Sequence, residues 1–218
     1  MAINNARREW VLMTGFCRGG RATLMSVEIR VMTLEDVERV SALADRLVGD
    51  AYYTPEIVAE TMEQSTLHGR VYSYVATLEG ELVAFRFVLP PGRWEHGRGQ
   101  GLAPSRWKAP MEKTAYFQSC FVDHSVMGQG IGRQLAHRAL LDLQSEGALA
   151  VVAHSWKESP HGSSLRYLTR LGFEPVAEHP EYWVDVDYTC SLDGKPCHCT
   201  AIEVVLDLTH WAPPEAPS

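Results

Sequence analysis

A chain of 218 residues with 45% hydrophobic and 22% charged residues has the size and balance of one soluble globular domain with an appendage. Its formal net charge of −7 argues against broad nonspecific nucleic-acid binding. No apolar run reaches the ~20 residues that a membrane span needs.

Residues 1–26 carry Arg7, Arg8, Arg18 and Arg21 but no strong periodicity, long apolar core or small-residue cleavage site. They are read as a disordered leader rather than a secretory signal; a capping arm in an oligomer is the alternative. Residues 27–32 alternate apolar and polar and predict a strand. Thr33 is placed to cap a helix over 34–48, whose Val37, Val40, Ala44 and Leu47 make one stripe. Thr54-Pro55 starts a second helix that runs to about Gln64. Residues 71–78 and 82–89 flank Glu79-Gly80-Glu81 and predict a hairpin. Residues 90–111 follow as a long loop, with Trp94, Trp107, Gly92, Gly97, Gly99 and Gly101. Its charges are mostly basic: Arg93, Arg98, Arg106 and Lys108 against Glu95. Either it is a solvated insertion or it is a lid over a substrate, using Trp for stacking and Arg for carboxylate or phosphate.

Residues 116–122, Tyr-Phe-Gln-Ser-Cys-Phe-Val, read as a strand. Met127-Gly128-Gln129-Gly130-Ile131-Gly132 comes next, and a helical apolar pattern fills 133–147. Glycines without Cβ atoms and the free N–H groups of a starting helix make a pocket for a phosphate or pyrophosphate. A P-loop is excluded, because Gly132 is followed by Arg133-Gln134 rather than Lys-Ser/Thr. The dinucleotide spacing is also absent. A tight turn without ligand remains open. Residues 149–153 form a short apolar run expected of a strand buried on both faces. His154-Ser155-Trp156 end it. After Pro160 and Gly162 a helix covers 163–171, with Leu165, Leu168 and Leu171 on one face and Gly172 at its C-terminal cap. A final strand is expected over 201–208.

This order resembles the GNAT N-acetyltransferase superfamily across roughly residues 27–208. The carrying residues are Phe121-Val122, the run from Gly128 to Gly132 with Leu135, Arg170-Leu171-Gly172-Phe173, and the opening stretch 28–36. The resemblance implies an α/β fold: a mixed, mostly antiparallel central sheet of about seven strands with a splayed parallel pair, and helices on both faces. Residues 209–218 are then a tail. It also implies an acyl-CoA donor. Met127, Gly128, Gln129, Gly130, Ile131, Gly132 and Arg133 would grip its pyrophosphate. Phe121 and Val122 would lie along its pantetheine arm, with an N–H on the thioester carbonyl. His161 stands where the family often has an Asn that contacts pantetheine. Three departures stand out. Met127 replaces the usual Arg or Gln, and Arg133 is the available substitute. Leu168 occupies the place of the frequent Tyr acid, with Tyr167 beside it but about 100° around the helix. Gln118 and Ser119 occupy the stretch of the usual glutamate base. The substitute candidates are His154, Ser155, Cys120, His124 and His161. His154, at the end of the second splayed strand, is the candidate base; a packing histidine is the alternative. Cys120 reads as a small core residue.

Three of the chain's five cysteines fall between Cys190 and Cys199. The spacing resembles a zinc knuckle found near the C-terminus of some bacterial and archaeal GNAT proteins, with Asp193 in place of its second cysteine. Cys190, Asp193, Cys197 and Cys199 would complete a structural tetrahedron around zinc, with His198 the alternative fourth ligand. A disulfide or free thiols are the other readings; without a secretion signal the disulfide is disfavoured. Such a site would pin an insertion over 180–200 beside the catalytic cleft. The expectation is a cytoplasmic N-acyltransferase, monomeric or homodimeric, moving an acyl group from acetyl-CoA or a related acyl-CoA to an amine on a small molecule or peptide. A GNAT-fold enzyme using aminoacyl-tRNA, the one nucleic acid considered as partner, and a non-catalytic acyl-CoA sensor are the alternatives.

Overall fold

A computed structural model describes residues 27–213; the 1–26 leader and residues 214–218 of the tail lie outside them. The strands are β1 (Val27–Val31), β2 (Thr66–Leu67), β3 (Arg70–Val71), β4 (Tyr74–Leu78), β5 (Glu81–Leu89), β6 (Thr114–Val122), β7 (Ala150–Trp156), β8 (Glu174–His179) and β9 (Ala201–Asp207). The helices are α1 (Val37–Leu47), α2 (Pro55–Gln64), α3 (Ile131–Ser145) and α4 (Ser163–Arg170). Seven strands form one sheet in the order β1-β4-β5-β6-β7-β9-β8, and β2 and β3 make a separate two-stranded ribbon. Only β6 and β7 run parallel; the other pairs in the sheet are antiparallel. This is the expected mixed α/β sheet with one parallel pair. No helix among the described residues is long and apolar enough to cross a membrane.

Local chemistry sets most boundaries. Thr54 Oγ1 accepts from Ile57 N–H and Pro55 sits in the first turn, so α2 begins there. Thr33 and Asp36 form a capping box, but residues 34–36 wind as a tighter 3₁₀ turn, and α1 starts only at Val37. The hairpin's first strand starts at Tyr74 rather than at 71, because Val71 pairs with Thr66 instead. β8 was not expected. Pro175 and its charged neighbours break the strand pattern, and only the outer edge of the sheet tolerates that.

Two helical layers cover the sheet. Leu135, Ala136, Ala139, Leu140 and Leu143 of α3 pack with Leu168 of α4 on one face. Val40, Leu43 and Ala44 of α1 and Val58 and Met62 of α2 pack on Val75, Phe85 and Phe87 of the other. Neither helix reaches the β7–β9 half of that second face. Residues 90–111 cover it instead: Trp94 and Trp107 join Leu89, Tyr116, Val152 and Val205 in a third apolar cluster. Trp94 stacks on Tyr116 with centroids 4.8 Å apart and donates from Nε1 to Thr114 O at 2.8 Å. The loop is therefore a packed layer, not a solvated insertion, and its tryptophans are 6% and 9% exposed, spent on the core rather than on a substrate face.

Candidate active site

The parallel pair defines the site. β6 and β7 pair from Thr114/Ala150 only to Phe117/Ala153, although both strands continue. Beyond that point the backbone edge of β6 that faced β7 has no strand partner. The parting coincides with a bulge in β6. Phe87 pairs with Ser119 and Val88 with Phe117, so Gln118 is an extra residue in the β5–β6 ladder. A bulge bends its strand and increases its twist, which carries the end of β6 away from β7.

The mouth of this cleft is the N-terminus of α3. Gly128 and Gly130 have φ of +82° and +78°, values that side chains rarely adopt. The first helical bond is Gln134 N–H to Gly130 O, at 3.0 Å. The N–H groups just before it lack intrahelical acceptors and point out of the helix end with the positive end of its dipole. Met127 is 56% exposed, and Arg133 is exposed one turn into the helix. That is the geometry of an anion cradle.

Residues 39–173 match the Acetyltransferase (GNAT) family. The chain belongs to this family. Among solved structures it resembles the ribosomal-protein-S18-alanine N-acetyltransferase of Escherichia coli at 14% identity and TM-score 0.59, covering 87% of this chain and 99% of that one. It resembles yncA from Salmonella typhimurium, solved with its cofactor acetyl-CoA, at 17% identity and TM-score 0.60, with 88% and 99% covered. Ard1 from Thermoplasma volcanium is similar at 18% identity and TM-score 0.59, with 83% and 97% covered. No curated protein matches the sequence.

Within this GNAT fold the candidate residues separate. Phe121 and Val122 lie where β6 still pairs with β5 but no longer with β7, and Cys120 beside them is half-buried. His161 precedes α4, exposed and in a left-handed conformation at φ +54°. His124 is exposed before the glycine loop, with Nδ1 3.2 Å from Met127 Sδ. Tyr167 reaches the cleft side of α4. Its hydroxyl donates to Gly132 O and accepts from Arg86 Nη2, both at 2.7 Å. Burial raises its pKa and outweighs the lowering effect of Arg86, so it stays protonated. Ser155 is fully buried and donates from Oγ to Ser164 Oγ at 3.0 Å, facing α4 rather than the cleft.

His154 also turns away from the gap. Its side chain is 1% exposed, under the 90–111 layer. Nδ1 lies 2.8 Å from Tyr116 Oη and 3.0 Å from Tyr182 Oη. Burial pushes its pKa below the ordinary histidine value. What His154 presents to the cleft is backbone.

Two features escaped sequence reasoning. Arg86 is 1% exposed on β5, its guanidinium 4.2 Å from the Phe117 ring centroid, against Tyr167 beneath the cleft. A groove of about 510 Å³ runs between α2 and the loop, reaching Gln118 and carrying Glu60, Glu95, Arg93, Arg98 and His96. His96 Nδ1 pairs with Gly97 O at 2.9 Å, which leaves Nε2 free. The one visible signal for Arg86 was a lone charge inside the apolar run 82–89. The groove had none, because its walls come from separate elements.

The cysteine segment is ordered against the α1–α2 connection: Thr189 N–H donates to Asp50 O and Ser191 N–H to Val48 O, both at 3.2 Å. The ligand atoms of Cys190, Asp193, Cys197 and Cys199 all lie within 4.8 Å of one another. Cys190 Sγ and Cys199 Sγ are 3.9 Å apart, as are Cys199 Sγ and Asp193 Oδ2. Thiolates on one zinc lie ~3.8 Å apart at tetrahedral geometry, so the set fits zinc. It is too wide for a disulfide, and these cysteines are free thiols. His198 points elsewhere, with Nδ1 2.8 Å from Glu181 Oε1, while its backbone N–H donates to Asp193 Oδ2 at 2.9 Å. Asp193 is the fourth ligand the geometry offers.

Proposed function

We propose that this protein is an N-acyltransferase that moves an acetyl or related acyl group from acyl-CoA to an amine by direct attack. The observation that carries the reading is the parting of β6 and β7 at Phe117/Ala153 with the α3 anion cradle at its mouth, in a chain of the GNAT family. The pyrophosphate of the donor sits on the free N–H groups of Gly130 to Arg133, with Arg133 in place of the missing side-chain donor at Met127. The pantetheine arm runs along the unpartnered edge of β6 toward Ser119, past His161. The thioester carbonyl then takes a backbone N–H near Phe121 or Val122, which stabilises the oxyanion as the amine adds. Tyr167, kept protonated by burial, is the hydroxyl we assign to return a proton to the leaving thiolate.

The acceptor enters through the groove beside Gln118, where Glu60 and Glu95 suit a cationic amine. His96, with Nδ1 tied to Gly97 O and Nε2 free, is the base this geometry favours over His154. Cys190, Asp193, Cys197 and Cys199 hold a structural zinc that supports the α1–α2 side of the groove; the ion supplies a cross-link and no chemistry.

The test is acetyl-CoA binding by calorimetry and turnover against a panel of amines and N-terminal peptides. Binding without turnover on any amine would support a sensor, and failure to bind CoA would remove the reading. His96→Ala should lower kcat by roughly 10²–10⁴-fold. The same loss in His154→Ala with His96→Ala unaffected would move the base to His154.

A further inference from the structure

A second cluster of metal-ligating groups lies under the 90–111 layer. Three adjacent strands build it. His154 on β7 stands directly opposite Glu203 on β9, and His179, at the end of β8, is the diagonal neighbour of Glu203. Residues in such register share one face with their side chains in reach of each other. One ligand atom from each of the three lies within 4.8 Å of the others.

Glu203 is fully buried, an expensive place for a carboxylate. Among the described residues no lysine or arginine pairs with it; its ionic neighbours are the two imidazoles. Ala103 N–H and Trp107 Nε1–H, both from the loop, donate to it at 2.9 and 2.5 Å, and His179 Nε2 lies 2.6 Å from Oε2. His154 Nε2 is different. It is buried, has no hydrogen-bond partner among the described residues, and lies 3.7 Å from Glu203 Oε2. An unsatisfied ring nitrogen aimed at a buried carboxylate and a second imidazole is a costly arrangement for apolar surroundings.

We infer that His154 Nε2, His179 Nε2 and a Glu203 carboxylate oxygen bind a divalent first-row transition ion, at a site separate from the cysteine set. The donor set is one that zinc and its neighbours accept. Nitrogen and oxygen donors on one such ion stand about 3.3 Å apart at bonds of ~2.0–2.1 Å. The observed 2.6 and 3.7 Å separations bracket that value, so one pair must open by about 0.7 Å and the other close by about 0.4 Å. With Nε2 on the ion, the His154 proton sits on Nδ1, which lies 2.8 and 3.0 Å from the Tyr116 and Tyr182 hydroxyls, the outer contact that orients a ligating imidazole. His179 Nε2 now faces Glu203 Oε2 as a donor would, and ion binding would displace that proton, leaving the ring protonated on Nδ1. The ion would tie β7, β8 and β9 to the loop that Ala103 and Trp107 anchor.

Cobalt(II) titration of the chelator-treated full chain tests this. A nitrogen–oxygen site gives weak d–d bands, whereas a thiolate site adds an intense sulfur-to-cobalt charge-transfer band. Wild type should bind two equivalents. Cys197→Ser/Cys199→Ser should bind one without the charge-transfer band. His179→Gln and Glu203→Gln, in the wild-type background, should each bind one and keep that band, so the test holds even if the cysteine variant fails to fold. If the cysteines hold no ion, wild type should bind one without the band, and His179→Gln should abolish it. The proposal is overturned if all bound cobalt shows the charge-transfer band and neither His179→Gln nor Glu203→Gln changes the stoichiometry.

Discussion

Asp36 shows how far one side chain's charge reaches into the fold. Its carboxylate is 2% exposed and accepts two bonds from Arg30 at 2.7 Å and one from Thr33 N–H at 2.9 Å. Burial alone would raise its pKa, but the Arg30 and Thr33 bonds outweigh it and hold the carboxyl below the usual aspartate value. A depressed folded pKa gives stability that is fully present above the unfolded value near 4 and is lost as pH falls through the folded one. Asp36→Asn should therefore cost about 2–4 kcal/mol at pH 7 by urea denaturation, at or below the range for breaking a buried pair because Arg30 is partly solvated. The gap from wild type should narrow steadily below pH 4; a gap independent of pH would mean that packing, not charge, sets the cost. Thr33 was legible as a cap from its place before an apolar stripe. Arg86, Glu203 and His179 were not. Each is a polar residue in or beside a strand pattern, and what it faces is supplied by elements 24 or more positions away.

At the scale of elements, local signals did well wherever the chain carries its own stop and start. Thr54-Pro55 placed α2, and the glycines placed the α3 entrance. β8 failed because an edge strand needs little propensity of its own; β9 recruits it by register. The α3 entrance carries a direct expectation. Gly130→Asp puts a Cβ and a negative charge where φ is +78°. Aspartate tolerates left-handed backbone, so the fold should survive at about 1–2 kcal/mol. CoA affinity should fall by roughly 10²-fold or more, about 3 kcal/mol, as calorimetry would read. Unchanged affinity would remove the cradle from the donor site. The cysteine segment behaves oppositely. Its secondary structure is confined to turns and a Cys190–Gly194 bridge, so its order depends on its ligands. Cys197→Ser should release the metal and lower the melting temperature while kcat falls less than stability, because a closed site gives substrate no coordination position. Full metal content and an unshifted melting point in this variant would argue against the site.

For the whole molecule, the main correction concerns residues 90–111. Its glycines and mostly basic charges suggested a solvated insertion or a lid. The glycines instead let the chain lie flat: a Cβ on Gly97 would fall 2.2 Å from Tyr182 Oη, and one on Gly101 2.4 Å from His179 Nδ1. The loop takes the place of a third helix over β7 and β9, and its tryptophans are core residues. Trp107→Ala should thus cost roughly 3–5 kcal/mol, and the shift in urea midpoint should be accompanied by loss of cooperativity across the β7–β9 half. A loss below about 1 kcal/mol would restore the reading as a detachable lid. The bulge at Gln118 has a consequence of another kind. Along a strand, facing is a matter of odd and even, and one supernumerary residue exchanges the two. Tyr116 therefore shares a face with Ser119 and Phe121, and Phe117 shares the opposite one with Cys120. Removing Gln118 would restore simple alternation and swap the sides of everything before it, sending Tyr116 toward α3 and leaving His154 with Tyr182 as its one hydroxyl neighbour. A single count in β6 thus fixes both where the cleft opens and which rings stand behind it.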